Sequence, residues 1–271
     1  MSHKNYSVTK STVLSSMVAA AALCFSAMAS AAPMTSAGSL PSGWTGTGSY
    51  GTASADEVAA ALGEGRSYGW VSTNGGIREA GQPVRSGADG FKSTDGSFVR
   101  TSAFSANAGD SLSFSFNYIS SDGGRYADYG WVRLLSANDP TQSTLLFTVR
   151  TTLDGTNIFD MTPMAAQIDS PNASISGGAP DWSPLGKNSG KCFDDGCGST
   201  GWLKAYFDFS DAGDYILEFG VTGWKDRSYH SGLAFDGITV GTSSQVPEPA
   251  SLALLGLGLA GLACRRRRQT A

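Results

Sequence analysis

The chain has 271 residues, with 19 basic and 23 acidic side chains and a formal net charge of −4. An acidic balance of this kind repels nucleic acid and anionic lipid, and two histidines supply no cluster for zinc or iron. The 35 glycines and 10 prolines, with no sustained helical periodicity, point to short strands separated by turns.

Lys4 and Lys10 precede an apolar stretch from Val13 to Ala29, and small residues stand at Ala27, Ala29, Ala31 and Ala32. This is the pattern of a secretory signal peptide, residues 1–31, handed to the export machinery and cut by signal peptidase near Ala29 to Ala32. Setting it and the C-terminal tail aside leaves about 215 residues, suited to one all-β domain over 32–241. On that part 13 basic residues face 23 acidic ones, Glu248 included, so its formal charge is about −10 and nucleic-acid binding is disfavoured.

Residues 37–55 are rich in Gly, Ser and Thr and read as an irregular lead-in with short strands. Asp56 to Leu62 fits either a helical turn or a loop. Ser67 to Thr73 reads as a strand ended by Asn74-Gly75-Gly76. Phe98 to Phe104 is strand-like. Ser111 to Ile119 alternates most clearly, with Leu112, Phe114, Phe116 and Tyr118 on one face. A turn at Ser121-Asp122-Gly123-Gly124 leads to a strand from Tyr129 to Ser136, and another runs from Ser143 to Thr151. Between Asp154 and Gly201 the alternation is lost, which predicts a long loop. Strands resume at Trp202 to Phe209, Tyr215 to Thr222 and Leu233 to Val240.

About eight short strands without a helix predict a β-sandwich. The ending, Asp214 to Phe219 followed by Leu233-Ala234-Phe235-Asp236-Gly237-Ile238, resembles jelly-roll carbohydrate-binding modules. Tyr68-Gly69-Trp70-Val71-Ser72-Thr73 with Gly75-Gly76, and Ser231 to Gly237, also resemble uncharacterised exported ectodomains of the family identified from the tail below.

The tail is a polar linker from 242, then Val246-Pro247-Glu248-Pro249, an apolar run from Ala250 to Ala263, Cys264, and Arg265, Arg266, Arg267 and Arg268. The prolines keep the motif extended and exposed. As a helix the apolar run would cover roughly 21 Å, short against a bilayer core of about 30 Å. The arginines hold the tail's end in the cytoplasm and leave the upstream chain outside. This order of parts resembles the PEP-CTERM sorting signal, a tail sometimes labelled an ice-binding protein C-terminal domain. The resemblance implies an exosortase that cuts near the motif, transient anchoring in the inner membrane, and delivery to the cell surface or extracellular matrix.

Cys24 leaves with the signal peptide and Cys264 sits at the membrane edge, so Cys192 and Cys197 remain. In an oxidising compartment they are expected to form a local disulfide. No nucleophile-base signature or phosphate-cradling loop is present, and the expectation is a protein that is not an enzyme. Two carboxylates roughly 5–9 Å apart in a cleft would favour a glycan hydrolase instead. Asp122, Asp128, Asp194, Asp195, Asp226 and Asp236 lie in or beside turns and suit Ca²⁺, although turn aspartates commonly cap their own backbone. Asp236 is the metal candidate, expected to point inward with Ile238 and Val240, where a carboxylate must be compensated. Tyr126, Tyr129, Trp182, Trp224 and Tyr229 are candidate sugar platforms, with Trp131 and Trp202 expected in the core. The expected function is a structural or adhesive surface protein in exopolysaccharide or biofilm. A calcium-assisted carbohydrate-binding module is the alternative, and a hydrolase the third.

Overall fold

The computed structural model describes residues 29–30, 40–54, 58, 67–85 and 92–242. The expected signal peptide up to Met28, the sorting tail and most of 56–62 lie outside them. Ala29–Ser30 (β1) is followed by Thr45–Thr47 (β2), Ser49–Ser54 (β3), Ser67–Ser72 (β4) and Ile77–Arg78 (β5). Ser93–Arg100 (β6), Phe104–Ala106 (β7), Asp110–Ser120 (β8), Tyr129–Ser136 (β9) and Ser143–Arg150 (β10) come next. The long loop holds Gln167–Ile168 (β11), Ser176–Gly177 (β12), a 3-10 helix at Ser183–Asn188, and Gly198–Ser199 (β13). Leu203–Asp208 (β14), Gly213–Trp224 (β15) and Ser231–Thr242 (β16) complete the order.

The strands form two antiparallel sheets. The first runs β11-β14-β8-β16-β4-β3, and the second β10-β9-β15-β6-β2. This is the expected jelly-roll-like β-sandwich, and its core lies between the sheets. Leu112, Phe114 and Phe116 of β8 and Leu233 and Phe235 of β16 meet Val132 of β9, Phe147 of β10 and Leu217, Phe219 and Val221 of β15. Rings lock the two layers. Phe219 stacks on Phe235 at 4.2 Å, and Phe116 meets Phe147 at 4.5 Å. Stacked and tilted ring pairs of this kind contribute beyond their buried area, about 0.5–1.5 kcal/mol each.

Both outer faces are also partly covered. On the first sheet, Tyr68, Ile119 and Ala234 pack under Trp182 and Leu185 from the long loop. That loop is pinned by Trp182 Nε1–H donating to Tyr68 Oη (2.9 Å) and Ser72 Oγ–H donating to the Pro184 carbonyl (2.8 Å). The expected long loop is therefore, around Trp182 and Leu185, a packed cover. On the second sheet, Tyr129, Trp131 and Trp224 form their own cluster with Val84, Phe98 and Leu145. Trp131 is buried, but on this outer face and not between the sheets. Trp202 precedes β14 and is only half-buried. Gly220 has to lack a side chain because the Trp131 ring lies directly over it, and a Cβ would overlap the indole.

Two sequence expectations shift. The strand predicted at Phe98 to Phe104 is two strands on one neighbour, since Arg100 pairs with Glu218 and Phe104 with Tyr215. Between them Thr101 accepts the Leu217 N–H with its hydroxyl (3.0 Å). Asp236 also changes face. A bulge between Asp236 and Thr239, with Gly237 at φ 66°, resets the alternation of β16. Leu233 and Phe235 before it, and Ile238 and Val240 after it, all reach the main core. Asp236 shares the opposite face with Ala234, though it is still buried.

Candidate functional site

Three loops converge beyond one end of the sandwich. Residues 121–128 join β8 to β9, residues 225–230 join β15 to β16, and the third is the hairpin closed by Cys192 and Cys197. The expected disulfide is present, with Cα atoms 5.7 Å apart. Backbone bonds tie the loops together: Phe193 N–H to Ser121 O (3.0 Å), Gly124 N–H to Asp195 O (2.9 Å) and Ser121 N–H to His230 O (3.0 Å). Arg125 Nε lies 3.0 Å from Asp194 Oδ2, and Lys225 Nζ donates to the Arg125 carbonyl (2.5 Å).

The small disulfide loop leaves no room for a benzyl group to turn into a core, so Phe193 stands 49% exposed. It bridges two of the predicted platform residues. Tyr126 meets Phe193 edge-on at 5.6 Å, and Phe193 meets Tyr229 at 5.1 Å. Lys225 Nζ sits 5.4 Å from the Tyr126 ring. Sequence reasoning missed Phe193. The signal available was a large apolar residue trapped between two closely spaced cysteines. The other platform candidates are not surfaces. Trp224 is 2% exposed and Tyr129 and Trp182 are 0% exposed. Tyr129 and Trp224 pack on each other at 5.9 Å, and Tyr129 Oη–H donates to Val84 O (2.6 Å). For Tyr129 and Trp224 the cause is their place at strand ends beneath Val84 of the 77–85 segment, and for Trp182 its packing on Tyr68 and Ala234 of the first sheet.

Beneath the tip lie two buried carboxylates, Asp122 and Asp128. Asp128 Oδ1 accepts the Trp224 N–H (2.9 Å), and its Oδ2 accepts the Thr73 hydroxyl (3.1 Å). The Asp128 carbonyl accepts Tyr118 Oη–H (2.6 Å). Asp122 is held through its backbone: its N–H donates to Ser120 Oγ (3.1 Å) and its carbonyl accepts that hydroxyl's proton (2.8 Å). Its Oδ2 is buried with no hydrogen-bond partner among the described residues. Burial, then the charges of Asp128 and Asp226, push the Asp122 carboxyl up to about 9. Burial raises Asp128 to about 8 against the donors Trp224, Thr73 and Ser231. Both carboxyls are closed off from solvent, so neither can reach a glycosidic bond.

The remaining aspartates behave differently. Asp226 Oδ1 accepts Ser228 N–H (2.8 Å) and Asp194 Oδ1 accepts Asp195 N–H (2.9 Å), the self-capping expected of turns. Asp236 pairs in register with Ser115, well inside the sheet and away from the three loops. Among the described residues, no three His, Cys, Asp or Glu side chains converge on one metal position.

Comparison with known proteins agrees with the reading of the tail. Residues 245–268 match the PEP-CTERM protein-sorting motif. The chain is thus an exported, surface-sorted protein with an exosortase as its processing partner. No curated protein matches it. Among solved structures, it is similar to the K1 cleaved adhesin domain of Lys-gingipain from Porphyromonas gingivalis W83. That similarity is 13% identity with a TM-score of 0.43, over 78% of this chain and 96% of the other.

Proposed function

We propose that the chain is a non-catalytic surface or matrix component. A rigid β-sandwich is carried outward and attached by an exosortase, and it serves a structural or adhesive role in exopolysaccharide or biofilm. The sorting motif at 245–268 is the observation that carries this reading. The apolar run of the tail holds the chain in the inner membrane only until it is cut. Truncation after Gln245 tests the delivery step. The truncated chain should leave the cell freely, while the full chain is retained at the surface. Equal retention of both would remove the tail from the account.

A second reading has its own support in the tip formed by Tyr126, Phe193 and Tyr229. Aromatic rings pack well on the apolar faces of pyranoses, Phe193 at this tip is exposed, and the neighbouring Lys225 and Arg125 suit acidic polysaccharide. A glycan array with the full chain and the Phe193→Ala variant tests it. Loss of roughly tenfold or more in binding, with unchanged melting, supports a glycan-binding tip. Array-wide absence of binding contradicts it.

A further inference from the structure

The proposed roles above leave Asp122 and Asp128 unused. We propose that they form a binding site for a hard divalent cation of the calcium class, at the floor of the three-loop end. This does not depend on the adhesive reading. Two independent features point to it. The first is that two carboxylates close enough for their charges to interact are both buried, between the end of β8 and the start of β9, where negative charge is costly. The second is Asp122 Oδ2, buried and lacking a partner among the described residues. A cation supplies what the site lacks.

The charged groups nearby do not already fill that role. Asp128, Asp226 and Lys225 act on Asp122, and Asp95 acts on Asp128. Lys225 is the one cation in that set, and its Nζ is turned toward the Arg125 carbonyl and the Tyr126 ring. The donor chemistry also selects the ion. Carboxylates, the Thr73 and Ser120 hydroxyls and the carbonyls of loop 121–128 are all hard oxygens. Zinc is disfavoured, because no cysteine or histidine joins the pair among the described residues. Calcium fills six to eight positions, so two carboxylates would be supplemented by neutral oxygens, as in extracellular modules of modest affinity. An ion here would fasten the two ends of loop 121–128, which carries Tyr126, to each other and, through the Trp224 N–H bound by Asp128, to the end of β15.

The test uses the full-length chain in detergent, stripped with EDTA, with calcium and terbium as probes. Calcium at about 100 times its Kd should stabilise the fold about 100-fold, a rise in Tm of roughly 5–10 °C. Terbium at the site should luminesce on excitation of the tryptophans, since Trp224 is the residue whose backbone N–H bonds to Asp128. Asp122→Asn should fold, melt no lower than the stripped wild type, and lose both signals. Asp236→Asn should keep both. No calcium shift and no terbium signal in the wild type would overturn the proposal. So would retention of both signals in Asp122→Asn, or their loss in Asp236→Asn alone.

Discussion

Glu218 should be the most sensitive charged residue in the domain. Its side chain is 0% exposed at the centre of the second sheet, with Arg100 Nε at 2.5 Å and Arg133 on the other side. The three residues lie in one cross-strand row, because Glu218 is in register with Arg100 of β6 and with Arg133 of β9. The arginines cover the rings of Phe98 and Trp131 at 5.1 Å each. Breaking a buried pair by removing one partner costs about 3–5 kcal/mol. The arginine side chains are 34% and 22% exposed and can turn partly to water, so the lower end, about 3 kcal/mol, is expected for Glu218→Ala. With a urea m value of roughly 2 kcal/mol/M, the midpoint should fall by about 1.5 M. Glu218→Gln keeps the volume and some hydrogen bonding, and should lose about half as much. Equilibrium urea unfolding of the disulfide-intact protein measures both. A shift below about 0.3 M for Glu218→Ala would mean that the row contributes little beyond solvent-exposed ion pairs, whose usual value is 0–1 kcal/mol.

Other outcomes follow from packing and charge. Gly220→Ala should destabilise by about 1–3 kcal/mol by pushing the Trp131 ring off the sheet, seen as a lower Tm with altered tryptophan fluorescence; an unchanged emission spectrum would contradict the close approach. Asp236→Ala should lower stability by about 2–3 kcal/mol through loss of a buried carboxylate; a wild-type Tm would show that this carboxylate contributes nothing to the fold. In EDTA, stability should fall as pH rises from 7 to 9. The folded chain holds protons on Asp122 and Asp128 up to about 9 and 8 that the unfolded chain releases near 3.8, so unfolding is favoured as pH rises through those values. His230, whose pKa burial lowers, has the opposite sign but acts only at lower pH. Urea midpoints at pH 7, 8 and 9 read this directly, and Asp122→Asn should flatten the decline. A midpoint that rises across this range would contradict the raised carboxyls.

The sandwich was legible because burial between two sheets writes a period of two into the sequence. The strand at 129–136 was read with its exact ends, and the inward rings of β8 were all assigned correctly. The start of β6 was not, because Ser93, Thr94, Asp95 and Gly96 carry no apolar signal and are held by backbone pairing to β15 and β5. The facing of Asp236 was lost to one glycine bulge, since a single extra residue inverts every side chain beyond it. The site followed the same division. Local composition singled out Tyr126 and Tyr229, which the fold places against Phe193, and the cysteine pair, which forms the expected disulfide. Phe193, and the burial of Asp122 with Asp128, depend on which loops meet in space, and no spacing along the chain encodes that.

The central claim is that this domain reaches the surface by cleavage of its tail. Intact-mass measurement of the surface-retained protein tests it most directly. The account predicts a mass lacking both residues 1–31 and the segment from Ala250 to Ala271, with Cys192 and Cys197 oxidised. A mass that still contains Arg265 to Arg268 would contradict it.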